Sequence, residues 1–197
     1  MKPENFRKSL YFVTGNPHKF KEVKEIISEE IDDYRLKHGK LPTVEIQSNS
    51  LEEVAKYKLK SVKDGFSNSC FVEDAGFFIE TPLKGFPGVY SSYVHKTIGN
   101  EGILKLIDNF ENSVAHFSAV IALYFKPTEE IMVFTGKTKG KVSNEQRGQQ
   151  GFGYDPIFIP KKYPDKTFGE LTVDEKNTIS HRSRALQKLI SFLKKQS

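Results

Sequence analysis

The chain has 197 residues, of which 37% are hydrophobic, and 30 Lys plus Arg against 25 Asp plus Glu give a formal net charge of +5. Its single cysteine excludes an internal disulfide and a cysteine metal cluster. Apolar runs reach only residues 119–125, far short of the ~20 residues that span a bilayer. The opening MKPENFRKS carries no signal-peptide core, so a cytoplasmic protein with no membrane partner is expected. The positive balance suits an anionic ligand, but the lysines are spread from Lys2 to Lys195 without a basic block, which speaks against nucleic acid as a partner.

In chain order, residues 10–13 read as a short apolar strand that runs into Thr14, Gly15, Asn16, Pro17, His18 and Lys19, then into a helical pattern with Phe20, Val23, Ile26 and Ile27 apolar. A strand, tight loop and helix N-terminus aim amide groups at one point and suit phosphate, with Lys19 as an added charge. The loop lacks the glycine spacing and Lys-Ser/Thr of a P-loop. The charged residues 28–40 are expected to extend the helix and loop out, and a second strand is expected at residues 44–47. Glu45 in that strand either faces solvent or shares a metal with a second carboxylate. Ser50 and Glu53 form a capping box for a helix running to about Lys63, with Leu51, Val54, Ala55, Leu59 and Val62 as its apolar stripe. Lys56 lies off that stripe and is free to reach a ligand.

The most chemically suggestive stretch is FVEDAGFFIETPLKGFPGVYSSY, residues 71–93. A buried strand is expected to end at Val72, leaving Glu73 and Asp74 side by side where the chain leaves the sheet. The period of two sends these carboxylates to opposite faces, and Asp74 is favoured for a cleft because Ala75 and Gly76 let a ligand approach the backbone. A solvated turn is the alternative for this segment. Residues 102–110 read as a helix, and residues 116–125 and 131–139 as two strands joined by a turn, so the sheet cannot be purely parallel. His116 reads as a strand histidine, since no second histidine stands at a ligand spacing. Residues 143–153 form a polar, glycine-bearing loop with Phe152 between two glycines, poised to fold onto the core or to lie against a planar base. A short strand at residues 157–159 follows. A second capping box at Thr172 and Glu175 precedes Lys176, His181 and Arg182, a crowd of donors for something anionic or acceptor-rich, and the chain closes on a helix with Ala185, Leu186, Leu189, Ile190 and Leu193 apolar.

Taken together, Thr14-Gly15-Asn16 with Lys19, Glu73-Asp74 with Gly76, Gly85-Phe86-Pro87-Gly88, Gly153-Tyr154-Asp155-Pro156 and Ser180-His181-Arg182 resemble the inosine triphosphate pyrophosphatase family over nearly the whole chain. Each motif is short, but five in order are specific. The resemblance implies an α/β fold: a mixed, strongly twisted central sheet with flanking helices, in one two-lobed domain over residues 1–197 around a nucleotide-binding cleft, usually as a homodimer. It implies hydrolysis of non-standard purine nucleoside triphosphates (ITP, dITP, XTP) to monophosphate and diphosphate with Mg²⁺ as cofactor. Thr14, Gly15, Asn16 and Lys19 match the triphosphate-binding positions, with Lys56 added. Asp74 matches the catalytic base and a metal ligand, and Glu45 the other metal carboxylate. Phe152, Gly153, Tyr154 and Asp155 match the base-side loop, and Lys176, His181 and Arg182 match residues closing over the purine. Arg182 or a backbone N–H is then suited to favour a 6-oxo acceptor over the amino donor of adenine. Ala75 stands where many relatives resemble Ser or Thr, which leaves only its backbone N–H for the nucleotide. The competing classes are a pyrophosphatase for modified pyrimidine triphosphates and a nucleic-acid-binding domain.

Overall fold

The computed structural model describes residues 8–108, 110 and 112–196. Among these residues are seven strands, β1 (Lys8–Val13), β2 (Tyr34–Gly39), β3 (Cys70–Thr81), β4 (Phe86–Gly88), β5 (Val114–Phe125), β6 (Glu130–Val142) and β7 (Phe158–Pro160), and six α-helices. These are α1 (Pro17–Glu30), α2 (Leu51–Lys60), α3 (Ser91–Thr97), α4 (Gly99–Leu106), α5 (Val173–Asn177) and α6 (His181–Lys194). The strands make one mixed, twisted sheet in the order β2-β1-β3-β5-β6-β7, with β4 on β3. Strand β1 runs parallel to β2 and β3, whereas β4 is antiparallel to β3 and β7 to β6. Strands β5 and β6 are sheet neighbours across a four-residue connection, which only an antiparallel pairing permits.

The chain divides into two compact units. Unit 1 comprises residues 8–74, 119–136 and 182–196, and unit 2 comprises residues 75–118 and 137–181 within the described range. In unit 1 the apolar face of α1 (Val23, Ile26, Ile27) and that of α6 (Ala185, Leu186, Leu189, Ile190) are buried together with Leu10, Phe12 and Phe71 of the strands. Phe12 stacks on Phe71 with centroids 4.7 Å apart. The core of unit 2 is aromatic: Phe77, Phe117, Tyr154, Phe158 and Phe168 cluster with Ile79, Ile103 and Ile157.

Three expectations require correction. The charged run after α1 is not a helical extension with a loop, because α1 stops at Glu30 and residues 34–39 form β2, paired with β1 at all six positions. This strand sits at the end of the sheet order, where it needs few apolar side chains: only Tyr34 and Gly39 are buried. The strand expected at residues 44–47 is irregular chain, so Glu45 is not held by a ladder. Strand β3 does not end at Val72; it runs on through Glu73 and Asp74 to Thr81, which also removes the solvated-turn alternative. The apolar alternation resumes beyond the charges, at Phe77 and Ile79.

The small residues after Asp74 have a packing reason. A Cβ on Gly76 would stand 2.5 Å from the Gly88 carbonyl oxygen and 2.9 Å from the Phe78 ring, so Gly76 admits β4 against β3 rather than a ligand.

Candidate active site

In unit 1, β1 delivers Thr14, Gly15 and Asn16 to the start of α1. Asn16 caps the helix: its side-chain oxygen accepts the N–H groups of His18 (2.9 Å) and Lys19 (3.2 Å), and its carbonyl accepts that of Phe20 (3.1 Å). Thr14 Oγ1 accepts the Asn16 N–H at 3.1 Å. The first-turn amides expected to face a phosphate are therefore already bonded, and Pro17 has none. What the loop keeps for an anion is open space at Gly15, where an added Cβ would meet nothing within 4 Å, together with the helix dipole and Lys19.

Lys19 links this loop to β3. Its ammonium lies 2.7 Å from Glu73 Oε2 and 3.4 Å from the Glu73 carbonyl oxygen. Arg182, at the start of α6 and only 2% exposed, lies across the same carboxylate, with Nη2 3.1 Å from Glu73 Oε1 and Nη1 2.5 Å from Glu22 Oε2. Burial pushes the Glu73 carboxyl up, but the charges of Arg182, Lys19 and Lys58 outweigh it and hold Glu73 below the ordinary range. The residue expected to close over a purine base thus has its two terminal nitrogens, Nη1 and Nη2, against carboxylates.

Asp74 has the opposite balance. Half-buried one residue further along β3, its carboxyl is raised above the ordinary value, by burial first. Lys19 and Lys58 pull the other way, while Glu73 and Glu45 add to the rise. A carboxylate that holds its proton more tightly than a solvated one is a better base once ionised, and a nearby cation lowers the cost of ionising it.

The lysine that approaches these carboxylates is Lys58. Its ammonium is hydrogen-bonded to Glu45, its side chain is 12% exposed, and its charge bears on both Glu73 and Asp74. Lys56 instead pairs with Glu52 one turn back on the same helix, at 2.6 Å with both side chains over 40% exposed. The signal was in the sequence: position 58 is seven residues after Leu51 and four after Val54, on the apolar stripe of α2, and a lysine there has to reach an anion or bury its charge alone.

Glu45 stands in irregular chain and is 56% exposed at its side chain. Its charge is felt at Asp74. Among the described residues no group of three or more His, Cys, Asp or Glu side chains is arranged to hold a metal. Two carboxylates nonetheless fit Mg²⁺, a hard cation that takes one or two protein carboxylates and fills its other positions with water and substrate phosphate. Glu45 would first have to release Lys58.

Unit 2 holds the remaining residues. Asp155, 3% exposed, accepts the Phe152 N–H and the Lys176 ammonium on the same oxygen, each at 2.7 Å. The Lys176 ammonium also lies 5.2 Å from the centroid of the Phe152 ring. Phe152 is flanked by Gly151 and Gly153, at φ +76° and +65°, conformations that L side chains rarely adopt. Around Gly153 an added Cβ would meet nothing within 4 Å. Tyr154 is buried and donates its hydroxyl to the Ser91 carbonyl at 2.9 Å, and burial raises its phenol. His181 is 4% exposed and stacks on Phe117, with ring centroids 4.7 Å apart. Ala75 is half-buried in β3.

The model of the Ham1 family matches residues 10–192. The dITP/XTP pyrophosphatase of Thermococcus kodakarensis is 47% identical over 186 residues, 94% of this chain and 97% of that protein, and that of Pyrococcus horikoshii is 46% identical over 94% and 96%. Among solved structures, the Staphylococcus aureus Ham1 protein superposes with a TM-score of 0.81 at 28% identity, over 96% of this chain and all of that one. A HAM1 protein from Coxiella burnetii gives 0.83 at 26% identity, over 95% and 99%. The chain belongs to the Ham1 family.

Proposed function

We propose that the protein hydrolyses non-standard purine nucleoside triphosphates, dITP, ITP and XTP, to the monophosphate and diphosphate. The observation that carries this reading is the pair of adjacent carboxylates on β3 with opposite electrostatics: Glu73 locked in ion pairs, and Asp74 half-buried, raised, and close to the charges of Lys19 and Lys58. The dITP/XTP pyrophosphatases that it resembles over 94% of its length supply the substrate class.

In this reading the open loop at Gly15 and the Lys19 ammonium take the triphosphate. Lys58, rather than Lys56, is the second cation on the phosphates. Asp74 accepts a proton from a water that attacks the α-phosphorus, and the bond from that phosphorus to the bridging oxygen breaks as diphosphate leaves. Asp74 and Glu45 are the side chains that would hold Mg²⁺, which when bound neutralises charge on the phosphoryl oxygens. Phe152 offers its ring to the purine, and Gly153 leaves room beside it. The contribution of Lys176 and His181 is to hold that side of the protein in shape, Lys176 through Asp155 and His181 through Phe117. Arg182 keeps Glu73 ionised, and discrimination of a 6-oxo group from the amino group of adenine then falls largely to backbone N–H groups. The working form is taken, on the resemblance alone, to be a cytoplasmic homodimer, which light scattering on the purified protein checks.

The test is release of diphosphate from dITP, ITP, XTP, GTP, ATP and UTP, each with and without Mg²⁺. Turnover of the first three well above the others, and only with Mg²⁺, is the expected result. Equal turnover of ATP or preferential turnover of UTP overturns the substrate class, and full activity in chelator overturns the role of the metal.

A further inference from the structure

One buried side chain in unit 2 is poorly explained by stability. Asn100, the second residue of α4, is 8% exposed. Its Nδ2 donates to the Gly153 carbonyl at 3.0 Å and to Gln146 Oε1 at 3.2 Å. The Gly153 carbonyl can only accept, so the Asn100 amide orientation follows from the chemistry: turned over, it would set oxygen against oxygen, and Gln146 presents its own oxygen to match. The same orientation leaves Oδ1 buried without a hydrogen-bond partner. A buried amide that uses only its donor half carries a desolvation cost that an apolar side chain of similar size avoids. What the site gains is a fixed position for the Gly153 carbonyl.

That carbonyl belongs to a glycine-bearing turn whose other end is packed against Asp155. Gly151 and Gly153 on either side of Phe152 both have positive φ, and no atom stands within 4 Å of where a Gly153 Cβ would be. The N–H of Phe152 is held by Asp155. With Asn100 on the Gly153 carbonyl, the peptide before Phe152 and the peptide after Gly153 are each anchored by a buried side chain, and the Phe152 carbonyl between them accepts the Asp155 N–H at 3.3 Å. The anchors come from different parts of the sequence, Asp155 from within the loop and Asn100 from α4.

We infer that Asn100, assisted by Gln146, is a positioning residue that fixes the Gly153–Tyr154 peptide, and with it the C-terminal side of the turn that carries Phe152, so that the Phe152 ring is presented to the purine in one orientation. This rests on the proposed function for the meaning of the ring, but the anchoring itself does not. Preorganisation of this kind lowers the ordering cost of binding and is read as affinity for the base-bearing ligand.

The test uses Asn100→Asp, which keeps the shape of the side chain and removes its donor, and Gln146→Leu. Hydrogen exchange of residues 148–154 in the ligand-free protein should be faster in Asn100→Asp by at least roughly threefold to tenfold, the size of one neutral hydrogen bond, because the carboxylate also repels the Gly153 carbonyl. The KM for ITP should rise by a similar factor with kcat within about twofold, and Gln146→Leu should show the same changes to a smaller degree. Unchanged exchange in the loop overturns the anchoring outright. Faster exchange with unchanged KM keeps the anchor and overturns its role in binding. A lower melting temperature with KM unchanged in the folded protein also overturns the inference, since Asn100 would then be structural only. Absence of ITP turnover in the wild-type chain defeats the proposed function instead, and leaves the exchange result to stand by itself.

Discussion

Each unit buries a carboxylate against a lysine, and the two arrangements differ in what they leave over. In unit 2, Asp155 and Lys176 neutralise each other, and Asp155 also takes the Phe152 N–H. The product is a defined backbone beside an aromatic ring. In unit 1, Glu73 is shared by Lys19 and Arg182, Glu22 shares Arg182, and Lys58 and Glu45 stand near a raised Asp74. The charges there are differently constrained: Glu73 is locked, whereas at Asp74 burial outweighs the charges of Lys19 and Lys58. A pair closed on itself stabilises and shapes, while a network that leaves one carboxylate out of balance can take part in proton transfer or bind a cation.

The largest effect that tests this contrast is Asp74→Asn. Diphosphate release from ITP should fall by about a thousandfold, within the range of lost general-base catalysis, while the fold survives. Stability should move the other way. Because the folded pKa of Asp74 is raised, its stabilising contribution is present below the ordinary aspartate pKa and is lost as pH rises through the folded value. The metal-free Asn variant should therefore equal or exceed the wild type in melting temperature at neutral pH. A variant that melts lower there and keeps its activity would show that Asp74 is a structural residue.

Glu73→Gln probes the locked half. It takes one carboxylate from Arg182, which is 2% exposed, and breaking a buried charge pair costs about 3–5 kcal/mol. Urea unfolding near neutral pH should show the loss. Since the folded pKa of Glu73 is lowered, the wild type's advantage is present above the ordinary glutamate pKa and disappears as pH falls through the folded value, so the two proteins should converge in acid. Parallel unfolding curves at every pH would contradict the assignment of charge.

The two lysines of α2 give a smaller and more discriminating effect. Loss of a charge-assisted hydrogen bond to phosphate corresponds to roughly tenfold to a hundredfold in kcat/KM for ITP, which is the loss expected of Lys58→Met. Lys56→Met should cost far less, because the exposed pair with Glu52 is worth under about 1 kcal/mol. The reverse ranking would reinstate the sequence-based choice. Smallest in its effect on selectivity is Phe152→Ala. It should weaken ITP and ATP alike, by about 1–3 kcal/mol of stacking, and keep their ratio. A changed ratio would give the ring a part in discrimination that its π-face does not supply.

Local pattern was sufficient for much of the chain. The strand at residues 116–125, the apolar stripes of α1, α2 and α6, and the capping box at Thr172 and Glu175 are properties of near neighbours, and all are present in the structure, although β5 is buried on both faces. The box at Ser50 is half made: Ser50 caps Glu53, but the Glu53 carboxylate accepts the Ser48 hydroxyl. The five ordered motifs likewise sufficed for the family, because order along the chain survives without knowledge of contacts. Three things depended on residues far apart in sequence. Strand β2 exists because β1 offers a ladder to a polar segment. Gly76 is small because Gly88 approaches it. Lys58 matters because Glu45, Glu73 and Asp74 come near it, and a helix wheel records a lysine on the apolar face without saying which anions await it. Charge pairing is decided by distance in three dimensions, so the sequence by itself determined which residue types the protein would use, and only the tertiary structure decided which carboxylate is locked in ion pairs and which is raised by burial.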